Sequence, residues 1–200
     1  MKRVFIVHGW GATPESDFIP WLKGVLESKG FWVKAPAMPN TKAPTIGGWV
    51  SCLSSEIGKP DEETYLIGHS MGCQAIVRYL AQLAGDDAIG GTLLVAPFVK
   101  IIEGSLDYKG RNVLAPWIET PIDWKGARAH CRVFVSISSD NDPYIDVSDS
   151  EVFKEKLGSR VIVIPGAGHF RTRDGYKELH AALNEIEKMM KSGNQDLPTD

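Results

Sequence analysis

The sequence predicts an α/β fold built on a mostly parallel sheet with both faces covered. Short, continuous apolar runs recur along the chain, and amphipathic stretches of helical period fill the intervals between them. A third observation marks one end of that sheet: Gly68-His69-Ser70-Met71-Gly72 sets a serine between two glycines, directly after one apolar run and directly before one amphipathic stretch.

The strand candidates lie at 3–7, 31–35, 64–68, 91–96, 132–137 and 160–164. The first follows a charged start, and its apolar run before His8 is too short for a signal-peptide core or a membrane span. Helical faces come between: Phe18, Leu22, Val25 and Leu26; Ile46, Trp49, Val50, Leu53 and Ile57; Cys73, Ile76, Val77, Leu80 and Ala84. Tyr176, Leu179, Leu183, Ile186 and Met190 mark a final one. Right-handed crossovers then give a doubly wound sheet whose ligands bind beyond the carboxyl ends of the strands. Ser70, the Gly9 to Gly11 turn and the loops after Ile137 and Ile164 all fall at that end.

One connection is long for a crossover: 33 residues from Phe98 to His130. With Pro116 and Pro121 as local breakers, it is expected to hold a helix and a small flap, with Phe98, Trp117 and Trp124 as walls for a substrate. The alternative is that these aromatics only seal the outside of the sheet.

A chain of 200 residues with a formal charge of −3, 43% hydrophobic and 24% charged, has the composition of one soluble globule. Residues 1–190 are expected to form one domain and 191–200 a flexible tail. No basic block points to nucleic acid or an anionic membrane. Cys52, Cys73 and Cys131 are widely spaced without a close metal-ligand pair, which reads as reduced core thiols and favours the cytoplasm. Gly9-Trp10-Gly11 lacks the third glycine of a dinucleotide fingerprint and no phosphate loop is present, so neither cofactor nor metal is expected.

The turn at Ser70 reads as a nucleophile elbow, where small residues allow a sharp strand-to-helix turn that presents the hydroxyl. A serine needs a base and a carboxylate that orients the base. Among five histidines, His169 in Gly168-His169-Phe170 follows the sixth strand and is the candidate; His8, His69, His130 and His180 are less well placed. Asp142 is the preferred carboxylate because Pro143 holds it extended, with Asp140 and Asp146 as alternatives. The backbone N–H groups of Met71 and Trp10 are the candidate oxyanion donors, although Trp10 could serve as a pocket wall instead. Arg171 and Arg173 beside His169 are candidates for a negative substrate group or simply solvated loop residues.

The order Ser70, Asp142, His169, with His8-Gly9-Trp10-Gly11 after the first strand, resembles the α/β-hydrolase superfamily. Compact size and Pro121-Ile122-Asp123-Trp124 before the fifth strand resemble the small family of retinoblastoma-binding protein 9 and the bacterial YdeN-like serine hydrolases. The resemblance implies a three-layer αβα fold with strand order 2-1-3-4-5-6 and a minimal cap. It also implies a serine hydrolase using Ser70, Asp142 and His169, with oxyanion donors at Trp10 and Met71. The expected substrate is a small or medium carboxylic ester, with a thioester or peptide-like substrate as the alternative. A noncatalytic interaction module on the same fold is the competing class.

Overall fold

The structure, a computed structural model, describes residues 1–192. The six apolar runs form one six-stranded, all-parallel sheet: β1 (Arg3–Val7), β2 (Trp32–Lys34), β3 (Thr64–His69), β4 (Gly91–Val95), β5 (Phe134–Ser139) and β6 (Arg160–Ile164). Their order is β2-β1-β3-β4-β5-β6, the order expected from the resemblance. The tail expected beyond residue 190 lies, from residue 193 on, outside the described residues.

Seven helices connect and cover the strands among the described residues: α1 (Ile19–Ser28), α2 (Ile46–Ile57), α3 (Met71–Leu80), α4 (Tyr108–Glu119), α5 (Trp124–Ala129), α6 (Asp149–Leu157) and α7 (His180–Ser192). The starts of α2, α4 and α5 are set by side-chain caps. Thr45, Asp107 and Asp123 accept from the N–H groups of Gly48, Gly110 and Gly126, each such cap contributing about 1 kcal/mol. Helices α2, α3, α5 and α6 pack in succession on one face. On the other, α1 and α7 meet through the Trp21 and His180 rings and the Lys29–Glu187 ion pair.

Helix α3 is buried along its whole length, and its Gln74 and Arg78 are both held by main-chain carbonyls. Gln74 Nε2 donates to the Phe98 carbonyl at 2.7 Å. Arg78 donates to the carbonyls of Trp117, Thr120 and Pro121, so a buried cation neutralises the free carbonyls at the end of α4. The central helix thereby fastens the long connection to the sheet.

That connection contains two helices, α4 and α5, in place of the single helix expected. Pro116 does not break α4 but sits inside it on the exposed side, where the missing N–H costs less than in a buried turn. The two tryptophans are corrected as well. Trp117 is fully buried, packed edge-on against Trp49 and donating Nε1–H to the Pro44 carbonyl at 3.0 Å. Trp124 packs edge-on against Phe153 of α6. Both pack one helix against another, α4 on α2 and α5 on α6, and neither lines the cavity at Ser70.

Candidate active site

Ser70 stands between β3 and α3 with φ 53° and ψ −117°, a conformation that costs a non-glycine residue about 1–3 kcal/mol. The turn closes because the next strand-facing position has no side chain. A Cβ at Gly72 would lie 2.3 Å from the Val7 carbonyl oxygen, so only glycine lets α3 leave over β1. Gly9 does the same for the loop after β1: a Cβ there would meet the Ser70 Cβ at 3.2 Å, so the bare backbone lies against the elbow.

The loop after β1 is oriented by His8, which is buried and takes part in two bonds to the main chain. Its Nδ1 lies 2.9 Å from the Gly9 carbonyl and its Nε2 accepts from Met38 N–H at 3.2 Å, which defines the Nδ1–H tautomer. Burial holds this imidazole below its ordinary pKa, against the opposing effect of the Gly9 carbonyl. In a trans peptide the C=O and the following N–H point in opposite directions, so fixing the Gly9 carbonyl also fixes the Trp10 N–H. Among the described residues no carbonyl accepts from the backbone N–H of Trp10 or of Met71.

The partners of Ser70 come from loops at the ends of β5 and β6. His169 Nε2 is 3.0 Å from Ser70 Oγ, and His169 Nδ1 is 2.6 Å from Asp142 Oδ2, with both the imidazole and the carboxylate buried. Asp142 is aimed by its own turn, since Oδ1 accepts from Tyr144 N–H at 2.9 Å and Ile145 N–H at 3.3 Å. Asp140, the alternative carboxylate, instead accepts from Gly166 N–H at 2.8 Å. Asp146 accepts from Ser148 N–H at 2.8 Å, within its own turn.

Four further residues hold the His169 loop. Ser139 Oγ accepts from Ala167 N–H at 3.0 Å and Asn141 Oδ1 from Gly168 N–H at 2.7 Å, while Asp174 Oδ2 accepts from His169 N–H at 3.0 Å. His69 completes the set with Nε2 at 2.9 Å from the His169 carbonyl, so that nitrogen must carry the proton. Burial, reinforced by the neighbouring His169, pushes the His69 pKa down to about 3. Sequence reading does not single out Ser139, Asn141 and Asp174 because each looks like an ordinary turn former, and it sets His69 aside as less well placed than His169; the short polar run Ser138 to Asp142 is the available signal.

Two cavities meet at Ser70. One, of about 150 Å³, is apolar, with Trp10, Met71, Phe98, Leu106, Leu114 and Ile145 among its walls. The other, of about 420 Å³, is polar, with Gly9, Gly11, Glu15, Asp17 and Thr172 around it. Of the aromatics expected as walls, Phe98 reaches the apolar cavity. Trp10 borders both cavities, and Tyr144 packs edge-on against His169. The Arg171 guanidinium lies over the Tyr144 ring, and Arg173 donates to the Tyr144 hydroxyl at 2.8 Å. Among the described residues no three His, Cys, Asp or Glu side chains stand together as metal ligands would, and no helix is long and apolar enough to cross a membrane.

A parallel sheet in this order, a serine on a strained turn after β3 and loops converging on it from β5 and β6 define an α/β-hydrolase. The chain belongs to the serine hydrolase family, whose model matches residues 4–188. It is 28% identical over 178 residues to YdeN of Bacillus subtilis, covering 89% of this chain and 90% of that protein. It is 23% identical over 184 residues to serine hydrolase RBBP9 of Rattus norvegicus, covering 92% and 91% of the two chains. The crystal structure of the B. subtilis ydeN gene product matches with a TM-score of 0.87 at 27% identity, covering 96% of this chain and all of that one.

Proposed function

We propose that the protein cleaves small or medium carboxylic esters through an acyl-enzyme on Ser70. The observation that carries this reading is the continuous relay Ser70 Oγ, His169 Nε2, His169 Nδ1, Asp142 Oδ2, with contacts of 3.0 and 2.6 Å. His169 takes the serine proton as Oγ attacks the ester carbonyl, then delivers it to the departing alkoxide. It next activates a water that hydrolyses the acyl-serine. Asp142 holds the Nδ1–H tautomer and stabilises the imidazolium formed in both halves of the reaction. The N–H groups of Met71 and Trp10 receive the negative charge on the carbonyl oxygen, and as backbone donors they need no reorganisation when it develops.

The apolar cavity takes the acyl group and the polar cleft the leaving alcohol. A cavity of this volume has the capacity of one benzene-sized group, so short acyl chains fit and long ones do not. A fluorophosphonate probe is expected to label Ser70, and Ser70→Ala to abolish hydrolysis of short p-nitrophenyl esters. Labelling at another residue with Ser70 unmodified would remove the assignment. In a matched panel of esters, thioesters and aminoacyl arylamides, short esters are expected to lead. A long-chain preference above about tenfold, roughly 1.4 kcal/mol of transition-state discrimination, would contradict the small acyl site.

A further inference from the structure

We infer that Leu106 sets the limit on acyl-chain length, and that a second cavity behind it is the distal continuation of the acyl site. The inference rests on the ester-hydrolase reading of Ser70.

The second cavity, about 300 Å³, lies between the segment after Phe98 and helix α4, with Ile102, Ala115 and Ile118 among its apolar walls. Ile101, Leu106 and Leu114 line both this cavity and the one at Ser70, so these three side chains are the partition between them. On the far side the cavity is bordered by residues exposed to solvent, Glu103 and Glu119 among them. Its occupant is the tail of an unbranched acyl chain whose carbonyl sits at Ser70, because the two cavities share three apolar side chains and the lining offers a hydrocarbon mainly dispersion and desolvation.

Of the three partition residues, Leu106 is the one whose side chain can be changed with least cost to the fold. Leu114 is buried within α4, and Ile101 follows the Val99 and Lys100 N–H groups that bond to buried Asp149. Leu106 is half-buried on the short stretch between Ile102, whose N–H donates to the Tyr144 carbonyl at 2.8 Å, and the cap of α4 at Asp107. Its truncation is expected to thin the shared wall and join the two cavities while leaving those anchors in place.

The test compares kcat/KM for p-nitrophenyl butyrate and octanoate in the native chain, Leu106→Ala and the double variant Leu106→Ala with Ala115→Trp. The octanoate-to-butyrate ratio is expected to rise at least about tenfold in Leu106→Ala, the discrimination that a few methylenes in an apolar site provide, and to fall back in the double variant, where the added indole fills the distal cavity. Leu106→Val, a milder opening, is expected to shift the ratio the same way by less, and it stands in if the alanine variant does not fold. A ratio that stays within about threefold of the native value in both single variants overturns Leu106 as the limit. A ratio that rises but does not fall in the double variant overturns the distal cavity as the tail site. Absence of Ser70-dependent butyrate hydrolysis in the native chain is a separate result, one that removes the ester-hydrolase reading and this inference with it.

Discussion

His69 Nε2 lies 2.9 Å from the main-chain oxygen of His169, so the residue before the elbow serine holds the backbone of the histidine that faces that serine. This bond requires a proton on His69 Nε2, which the cation would carry as well, and it is burial that keeps the ring neutral, pushing its pKa down to about 3 from the ordinary 6.5. The unfolded chain takes up this proton near 6.5 and the folded chain only near 3, so between those values the unfolded state binds more protons. The stability associated with neutral His69 is therefore complete above pH 6.5 and is lost as pH falls toward 3. Urea midpoints measured at neutral and at mildly acid pH are expected to drop less in His69→Gln than in the native chain. An equal drop in both would show that His69 does not titrate in this way.

Asp142→Asn is expected to retain the fold and lose roughly 10³ to 10⁴ in kcat, because an amide can hold the imidazole in the wrong tautomer and cannot stabilise its charge. The comparator is Asp140→Asn, which alters only the bond to Gly166 N–H and is expected to cost about tenfold or less. Steady-state hydrolysis of a short ester decides the matter: comparable losses in the two variants would remove the distinction between the carboxylates.

Ser70 carries backbone strain at φ 53°. Ser70→Gly relieves that strain and Ser70→Ala does not, so the glycine variant is expected to be the more stable of two inactive proteins by about 1 kcal/mol, after the added entropy cost of glycine. Thermal or urea unfolding measures it. An alanine variant more stable than the glycine variant would show that the elbow is not strained.

Trp117 and Phe98, grouped together by the sequence, should separate in experiment. Trp117→Phe loses the bond to the Pro44 carbonyl and some packing on Trp49, at an expected cost of about 1–3 kcal/mol in stability with the chain-length profile unmoved. Phe98→Ala enlarges the cavity at Ser70 and is expected to change that profile. A profile that moved in Trp117→Phe would return that residue to the substrate side.

The parallel sheet, its covered faces and the end at which the site lies are readable because continuous apolar runs and helical periods are local signals. The elbow is readable for a related reason: the Gly68 to Gly72 run falls between an apolar strand pattern and an amphipathic helical one, the context that a strand-to-helix turn requires. The apolar pattern of β5 stops at Ile137, yet the strand continues through Ser138 and Ser139. Those serines are buried, and Ser139 is satisfied by the Ala167 N–H and Asn141, partners that no local pattern announces. Trp117 and Trp124 read as pocket walls because an aromatic on a long connection can face either the sheet or a ligand. That choice is made by Trp49, Pro44 and Phe153, residues from 29 to 73 positions away along the chain. The same holds for the cavity behind Leu106, which exists only once α4 has docked.

Because all six strands run in one direction, the molecule has two ends with separate duties. One carries Ser70, Asp142, His169 and the two cavities that meet at Ser70. The other is made of the links that lead into β3, β4 and β5, including exposed Lys59, Gly85, Asp86 and Arg132. A tether, a fluorophore or a second domain joined at Gly85 and Asp86 faces away from the reacting groups, so the protein can be held on a surface by one pole while substrate enters and leaves at the other.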